Sequence, residues 1–503
     1  MLKKIQTALI SVYYKEGLDL IVQKLNEHDV KIFSTGGTFD FISGLGIPVE
    51  AVETLTGYPS ILGGRVKTLH PKVFGGILGR GNNPSDVAEM ENYAIPAFDL
   101  VIVDLYPFEE TVNKTTEEQL IIEKIDIGGI SLIRAGAKNH QDVCIVPSVT
   151  YYSELLELLQ KGPHTSLEDR RRFAAYAFGV SSHYDAAIYN WFTGGQQQLR
   201  LSGNNAQPLR YGENPHQKGI FYGNLDEVFE KLHGKDLSYN NLLDLDAGLH
   251  LIAEFEEPSF AILKHNNACG LASRDTMREA YMAALAGDPV SAFGGVLVAN
   301  RKLDEATALL VNELFFEVII APDYEENALQ LLYSRKNRII LQLRTGVFPK
   351  TQYKTLLNGL LSQEKDVQTE QAADMRVVTQ KAPTAAETDD LVFANKIVKH
   401  TRSNAIVLVK NKQLAGSGIG QTSRVDALKQ AVAKAKEFGF DLNGAVMASD
   451  AFFPFADSVE IASQAGITAV VQPGGSVRDN DTINFCNSAG LSMVFTGIRH
   501  FKH

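Results

Sequence analysis

The chain has 503 residues, of which 45% are hydrophobic and 21% charged, so it is a folded globular protein too long for one ordinary core. Fifty-nine acidic against 48 basic residues give a net charge of −11, which argues against nonspecific binding to nucleic acid or anionic membranes. The three cysteines lie far apart without a CxxC pair, which excludes a disulfide framework and a cysteine-rich zinc site. No apolar stretch approaches the ~18 residues that a membrane-spanning helix needs. We therefore expect a cytoplasmic protein that binds neither nucleic acid nor membrane.

Short apolar runs alternate with helical patterns in the first 195 residues. Runs at 8–12, 31–34, 98–106 and 143–146 predict buried strands, with helical stretches between them. Such alternation predicts an α/β layer with a largely parallel sheet, whose ligands bind at the carboxyl ends of the strands. A long helical pattern at 166–192 is followed by TGGQQQLRLSGNNAQP (193–208), a stretch rich in Gly, Gln and Asn that predicts a domain boundary.

A second α/β region occupies residues 196–503. Predicted strands form two groups, at 260–264, 293–299 and 316–320, and at 405–409, 444–449, 468–472 and 492–496. A polar stretch at about 345–385 separates the groups. This half is therefore predicted to contain two similar layers, at about 200–370 and 380–503.

Two glycine loops in the first region suggest anion binding. FSTGGT (33–38) follows a strand and opens a helix, where backbone amides accommodate phosphate, although such loops are more often only tight turns. GGRVKTLHPK (63–72) gathers basic residues between glycines and a proline. Such a run is most often a solvated basic loop, but the acidic chain, the flanking glycines and Pro71 favour a shaped anion site here more than usual.

Two further loops carry candidate polar groups. DLYPF (104–108) ends the most apolar strand, and Tyr106 is either a hydrogen-bond donor or a cap on the core. IDIGGISLIRAGAKNH (125–140) places Asp126 before a Gly-Gly turn and Lys138 on the helix that follows.

The second region contains a Lys-His pair at a predicted strand end. Neighbouring strand residues face opposite sides, so Lys264 and His265 can serve one pocket only if the strand ends at Lys264. A lone His is more often structural, whereas this pair favours acid–base chemistry. SDAFFPFAD (449–457) predicts a loop surface on which its phenylalanines receive a flat heterocycle. The basic C-terminus, RHFKH, is weak evidence because chain ends normally fray.

Seven segments together resemble, in order, the bifunctional phosphoribosylaminoimidazolecarboxamide (AICAR) formyltransferase / IMP cyclohydrolase family. They are GGRVKTLHPK, IDIGG…RAGAKNH, LRYGENPHQ, SYNNLLDLDA, KHNNACG, SDAFFPFAD and RHFKH. The resemblance covers nearly the whole chain. It implies a methylglyoxal-synthase-like (Rossmann-like) IMP cyclohydrolase domain at 1–195. It also implies a transformylase domain at 196–503 made of two cytidine-deaminase-like α/β subdomains. The HxE and PCxxC zinc motifs are absent from the sequence, so no catalytic metal is expected.

The resemblance implies formyl transfer from 10-formyltetrahydrofolate to AICAR, giving FAICAR, followed by ring closure to IMP. It also implies a homodimer with the transformylase sites at the subunit interface. Lys264 would stabilise the oxyanion and His265 would accept the proton. The positions implied for the nucleotide are Arg210, Gly294, Glu317, Asn404 and Arg424. Those implied for the folate are Val425, Phe452, Asp457 and Arg499.

For ring closure, the resemblance implies proton transfer by Lys138, with Lys67, Tyr106 and Asp126 around the developing charge. The implied binding positions are Lys15, Thr35, Gly36, Gly37, Thr38, Arg65, Thr68, Asp104 and Ile127. The chain departs from the family pattern at Tyr14, Phe74, Asp104 and Ala268, where Asp, His, Asn and Pro are usual. Asp104 matters most, because a carboxylate repels phosphate but can accept a hydrogen bond from an amide.

Three alternatives remain open. The chain could be a transformylase whose first domain only binds nucleotide, a non-enzymatic allosteric module, or, by fold analogy alone, a metal-dependent deaminase. Retention of Lys67, Lys138, Lys264 and His265 argues against the allosteric module.

Overall fold

The computed structural model describes residues 2–194, 199–203, 205–344 and 348–503. The chain forms two compact units, Met1–Asn204 and Asn205–His503. The predicted boundary stretch at 193–208 falls partly on residues 195–198 and 204, which lie outside the described residues.

The first unit is an α/β layer. Its strands are β1 Lys3–Lys4, β2 Thr7–Ser11, β3 Lys31–Ser34, β4 Glu50–Ala51, β5 Leu100–Val103, β6 Cys144–Val146 and β7 His164–Thr165. Its helices are α1 Leu18–Glu27, α2 Gly36–Gly44, α3 Val52–Thr56, α4 Pro71–Leu78, α5 Pro84–Asn92, α6 Phe108–Lys114, α7 Glu118–Ile122, α8 Gly128–Lys138, α9 Tyr152–Gln160 and α10 Leu167–Thr193. In the described part of this unit, the main sheet is parallel with the order β4-β3-β2-β5-β6.

Alternate residues of the central strand β2 face opposite sides of this sheet. Ala8 and Ile10 pack into a core with α1 and α9, whereas Leu9 packs into a second core with α4, α8 and α10. Both sides are apolar because helices cover both faces of a parallel sheet. The four strand predictions for this region are confirmed, and the run at 98–106 contributes the shorter strand Leu100–Val103.

The second unit contains two α/β subdomains. Its strands are β8 Ala206–Pro208, β9 Ile220–Tyr222, β10 Phe229–His233, β11 Ser259–Lys264, β12 Asn267–Ser273, β13 Gly295–Ala299, β14 Phe316–Ala321, β15 Ile339–Leu343, β16 Thr351–Leu356, β17 Gly359–Glu364, β18 Arg376–Val377, β19 Ile406–Val409, β20 Leu414–Gly418, β21 Val446–Ser449, β22 Ala469–Gln472 and β23 Ser492–Phe495. Its helices are α11 Tyr239–Ile252, α12 Met277–Gly287, α13 Pro289–Ala292, α14 Glu305–Glu313, α15 Glu326–Leu332, α16 Ala385–Lys399, α17 Arg424–Glu437, α18 Asp457–Gln464 and α19 Asp479–Ala489.

The two subdomain sheets have one topology. Among the described residues their orders are β10-β15-β14-β13-β11-β12 and β18-β23-β22-β21-β19-β20. In each sheet the three middle strands pair in parallel, and the outer pairings are antiparallel. The prediction of two similar layers is therefore confirmed. The polar stretch at 345–385 contains the exposed hairpin β16–β17.

The C-terminal tail is docked onto the second unit, unlike the fraying tail assumed from the sequence. His500 is 2% exposed, and its ring nitrogens contact Asp366 at 2.7 Å and Glu370 at 2.9 Å. Burial opposes the imidazolium, but the hydrogen bonds and charges of the two carboxylates outweigh it and raise the pKa of His500 to about 9. The tail is therefore held by a buried cation between two carboxylates.

No helix in the described ranges is long and apolar enough to cross a bilayer.

We expect His500→Gln to lower the stability of the protein by roughly 2–4 kcal/mol, because it leaves Asp366 and Glu370 without their cation. The folded pKa lies above the unfolded value of about 6.5, so this stabilisation is complete below pH ~6.5 and is lost as the pH rises through ~9. The apparent midpoint of thermal unfolding, measured from pH 6 to 9.5, should fall more steeply for the wild type than for the variant. His503→Gln, on the same tail, is the control, and equal slopes for wild type and His500→Gln would contradict a buried imidazolium.

Candidate active sites

The candidate residues of the first unit lie at the carboxyl edge of its sheet. Strands β2, β3 and β5 are parallel neighbours, so the segments that follow them share this edge. Ser11 Oγ and Thr35 Oγ1 are 3.1 Å apart. Thr38 Oγ1 donates to the carbonyl of Val12 at 2.9 Å, so side chains tie the loops after β2 and β3 together.

Two lysines face this edge beside the start of α2. Lys67 Nζ lies 3.4 Å from where a Cβ on Gly36 would stand. Burial and the charge of Lys67 lower the pKa of Lys15, partly offset by Asp104. The N-cap residue Thr35 contacts Ser11 instead of capping α2, which leaves the first amides of α2 available for an anion. A bound phosphate at this point would relieve the repulsion between the two lysines.

Asp126 lies close to Lys67, and Tyr106 lies close to Asp126. Asp126 accepts the Gly129 N–H at 2.6 Å, and a Cβ on Gly129 would come within 2.8 Å of that carboxylate, so a larger residue at this position would displace the Asp126 side chain. Burial raises the pKa of Asp126, opposed by backbone N–H groups and by the charge of Lys67. Burial and the charge of Asp126 raise the pKa of Tyr106, which keeps its phenol a hydrogen-bond donor. Thr68 Oγ1 lies 3.1 Å from where a Cβ on Gly128 would stand, so Thr68 joins this group.

Asp104 accepts hydrogen bonds from backbone amides. Its carboxylate takes the N–H of Tyr13 and, at 2.9 Å, that of Tyr14. Burial raises the pKa of Asp104 against these hydrogen bonds and the charge of Lys15. The acidic residue at this position thus shapes the loop after β2, the same loop in which Tyr14 donates to Glu110 at 2.5 Å.

Three predicted residues of this unit stand apart from the cluster. Arg65 is exposed and pairs with Glu123, and the N-cap residue Ile127 is 60% exposed. Lys138 is the last residue of α8, ten residues beyond Gly128, which corresponds to ~15 Å along the helix axis. The chain therefore does not bring Lys138 to the end of α8 where Asp126 lies, and its role in proton transfer stays a prediction from the resemblance.

In the second unit, Lys264 and His265 lie where strand β11 turns into β12. Lys264 ends the strand and pairs with Asn267. His265 and Asn266 have φ values of 51° and 66°, as in a two-residue hairpin turn of type I′. Lys264 Nζ donates to the carbonyls of Phe293 at 2.8 Å and Gly294 at 3.0 Å. The strand therefore ends at Lys264, which is the condition for Lys264 and His265 to face one pocket. His265 is exposed.

Gly294 and Glu317 share the edge of the sheet on which Lys264 lies. Gly294 N–H donates to the carbonyl of Phe315 at 2.7 Å, which brings the starts of β13 and β14 together. Glu317 Oε2 pairs with Lys235 Nζ at 2.8 Å. Arg210 N–H reaches the carbonyl of Leu237, close to Lys235 along the chain. These contacts connect Arg210, Gly294 and Glu317 around the end of β11.

The other subdomain supplies Asn404 and two arginines. Asn404 Nδ2 donates to Gln421 O at 2.9 Å. Arg424 Nη2 contacts Asp450 Oδ1 at 3.1 Å, and the guanidinium groups of Arg424 and Arg499 lie 5.7 and 4.3 Å from the Phe501 ring. The docked tail therefore brings Arg499 close to Arg424.

A hydrogen bond connects the residues around Lys264 to those around Asn404. Arg402 N–H donates to Asn267 Oδ1 at 3.1 Å, which ties the hairpin after Lys264 to the loop that carries Asn404. Asp450, which pairs with Arg424, and Phe501, whose ring contacts Arg424 and Arg499, were not among the predicted site residues. The position of Asp450 directly after a predicted strand was the available signal.

The phenylalanines of SDAFFPFAD do not all form the predicted loop surface. Phe452 and Phe455 are 37% and 50% exposed, but Phe453 is fully buried, because its ring packs into the core of the second subdomain. Asp457 begins α18, and Val425 follows Arg424 in α17. Two rings, not three, are therefore available to a ligand.

Two cavities in the protein are lined by other residues. One, of about 510 Å³, is lined in part by Phe33, Met90 and Phe98. The other, of about 670 Å³, is lined in part by Arg274, Asp390 and Lys412. In the described part of the chain, no group of three or more His, Cys, Asp or Glu side chains is arranged to hold a metal ion.

Comparisons with known proteins identify the family. A family model described as "AICARFT/IMPCHase bienzyme" matches residues 136–434, more than half of the chain, and one described as "MGS-like domain" matches residues 17–131. The chain belongs to the AICARFT/IMPCHase bienzyme family. The predicted α/β fold with an MGS-like N-terminal domain is confirmed. As a member of this family, the chain is a bifunctional AICAR formyltransferase and IMP cyclohydrolase of purine biosynthesis.

Full-length relatives share this assignment. "Bifunctional purine biosynthesis protein PurH" of Bacteroides thetaiotaomicron is 64% identical over 100% of this chain and 99% of its own. The protein of the same name from Aquifex aeolicus is 47% identical over 99% of this chain and 100% of its own. A solved structure titled "Crystal structure of ForH" is 32% identical, covers 38% of this chain and 100% of its own, and has a TM-score of 0.34.

We expect Gly294→Ala to lower kcat/KM for formyl transfer at least about tenfold, the equivalent of ~1.4 kcal/mol. The added Cβ would stand 3.1 Å from Lys264 Nζ, at a position with φ of 68°. Gly444→Ala is the matched control, because Gly444 also precedes a strand and has φ of 79°, but an added Cβ there meets open space. Both variants should lose similar stability from the left-handed backbone. Equal kcat/KM values for the two variants in a formyl-transfer assay would contradict the placement of Lys264.

Proposed function

We propose that this family member transfers the formyl group at the turn between β11 and β12. The observation that carries the proposal is the position of Lys264, whose amine is held by two carbonyls beside His265. The donor is 10-formyltetrahydrofolate and the acceptor is the 5-amino group of AICAR. That amine is a poor nucleophile because its lone pair is delocalised into the imidazole ring.

In this proposal, His265 accepts the proton of the attacking amine as the new C–N bond forms at the formyl carbon. Lys264 stabilises the oxyanion of the tetrahedral intermediate. The bond from the formyl carbon to N10 of the folate then breaks, and N10 takes up a proton. Positioning and proton removal supply the rate enhancement, which gives FAICAR and tetrahydrofolate.

The remaining residues of the second unit would bind the two substrates. Arg210, Gly294, Glu317, Asn404 and Arg424 are proposed to hold the nucleotide. Val425, Phe452, Asp457 and Arg499 are proposed to hold the folate. The exposed Phe452 ring and the guanidinium of Arg499 suit a flat heterocycle and a carboxylate-bearing tail.

We assign ring closure to the first unit. The carboxamide nitrogen of FAICAR attacks the formyl carbon, and water leaves to give IMP, without a cofactor. Lys67, Tyr106 and Asp126 would surround the developing charge, and Lys15, Thr35, Gly36, Gly37, Thr38 and Thr68 would hold the phosphate end. The repulsion between Lys15 and Lys67 and the uncapped start of α2 support an anion site here.

The domain division in this proposal is a cyclohydrolase domain at 1–195 and a transformylase domain at 196–503. The protein is proposed to act as a homodimer with formyl-transfer sites at the subunit interface. In this proposal, neither step uses a metal ion.

We expect His265→Ala to abolish formyl transfer and to leave ring closure of supplied FAICAR unchanged. Without the imidazole, the amine proton has no acceptor, which costs about 10²–10⁴-fold in rate. Tetrahydrofolate formation from AICAR and IMP formation from FAICAR, measured separately, check this. His233→Ala, in the same unit, is the control. Loss of both activities in a folded His265→Ala protein would contradict two separate sites.

Lys67→Ala should show the opposite pattern. Ring closure should fall at least about 100-fold, because a cation facing the developing charge is removed, while formyl transfer continues. The measurement is IMP absorbance from supplied FAICAR, with Lys24→Ala as the control, since Lys24 pairs with Glu27 at the surface. A wild-type rate of ring closure in Lys67→Ala would contradict a role for Lys67, Tyr106 and Asp126 in this reaction.

A further inference from the structure

The two subdomains of the second unit repeat one local arrangement around a hairpin turn. In each, a helix starts with a capping box, at Ser238 for α11 and at Thr384 for α16. Asp244 and Asp390 occupy the same place, the sixth residue, in their helices. The hairpin that each helix supports is β11–β12 in one case and β19–β20 in the other.

Both turns consist of two residues in the left-handed region. The φ values are 51° and 66° for His265 and Asn266, and 53° and 50° for Asn411 and Lys412. Non-glycine residues in this region cost about 1–3 kcal/mol each and persist only where the surroundings hold them. A hydrogen-bond partner outside the hairpin would therefore stabilise each turn.

A helix carboxylate supplies that partner in both subdomains. Asp244 Oδ1 accepts the Asn266 N–H at 2.6 Å. Asp390 accepts the Asn411 N–H at 2.8 Å and the Lys412 N–H at 2.6 Å. Burial raises the pKa of both carboxyl groups against these hydrogen bonds, and the charges of His265 and Lys264 also oppose it at Asp244.

The two turns differ in what they carry. The turn held by Asp244 contains His265 and follows Lys264, the two residues proposed for formyl transfer. The turn held by Asp390 contains Asn411 and Lys412, to which no role in either reaction is assigned. One structural device is thus present twice, once beside the proposed chemistry and once away from it.

We propose that Asp244 is a positioning residue for formyl transfer: it holds the His265–Asn266 turn so that the imidazole stands beside the Lys264 amine. This inference rests on the proposed function of His265. Asp244 acts through the Asn266 amide and does not touch the substrates. A shift of the turn by ~1 Å would misplace the proton acceptor, which can cost about 100-fold in rate.

The test compares Asp244→Ala, Asp244→Asn and Asp390→Ala in the full-length protein. We expect Asp244→Ala to lower kcat of formyl transfer at least about tenfold with KM for AICAR within about threefold of wild type. Asp244→Asn keeps an acceptor oxygen and should recover most of the loss. Asp390→Ala, the matched control, should lower the thermal midpoint at least as much and leave kcat within about twofold. Ring closure of supplied FAICAR should be unchanged in all three.

Two results would overturn the inference: wild-type kcat in Asp244→Ala, or an equal loss of kcat in Asp390→Ala. If Asp244→Ala does not fold, Asp244→Glu takes its place, because the longer carboxylate keeps the charge but displaces the turn. Asp244→Glu should then lower kcat of formyl transfer at least about tenfold, and a wild-type kcat in this variant would overturn the inference. His265→Ala is assayed in parallel. If it retains formyl transfer, the proposed function fails, whereas an inactive His265→Ala beside an active Asp244→Ala refutes only the positioning role.

Discussion

The proposed formyl-transfer site depends on the register of β11 between its two neighbours. This strand pairs with β12 on one side and β13 on the other, and its first five residues are buried while Lys264 is partly exposed. A slip by one residue would exchange the faces of all its side chains and move Lys264 away from the carbonyls of Phe293 and Gly294. The two-residue turn and its helix carboxylate therefore maintain the position of the Lys-His pair as well as the fold.

Local positive charge at the two proposed sites offsets the net negative charge of the chain toward anionic substrates. The net charge of −11 would repel nucleotides on average. At the sheet edge of the first unit, Lys15 and Lys67 stand beside the start of α2. In the second unit, the guanidinium groups of Arg424 and Arg499 both contact the ring of Phe501. In each unit, long-range packing brings together basic groups that lie far apart in the sequence.

Much of the architecture could be predicted because apolar strand patterns report burial directly. The parallel strands, the long helix before the boundary and the end of β11 at Lys264 were all predictable in this way. The antiparallel strand β12 was not, because Asn267 and Gly270 within it are typical of turns. Its pairing is decided by the sheet it joins.

The remaining differences between the predictions and the structure have two causes: distance along a helix and ion pairs between residues far apart in the sequence. Periodicity placed Lys138 on the helix that starts after Asp126, but the length of α8 carries it about 15 Å along the axis. The docked tail could not be predicted, because it depends on carboxylates more than 100 residues earlier in the chain. Local sequence patterns do not predict ion pairs between residues so far apart in the chain.

A crystal structure of the protein with AICAR and a folate analogue that carries no transferable formyl group would test the placement of formyl transfer at Lys264 and His265. We predict the 5-amino group within about 3.5 Å of a His265 ring nitrogen, with the pterin on the side of Phe452 and Arg499. This placement would be contradicted by AICAR bound with its amine remote from both Lys264 and His265.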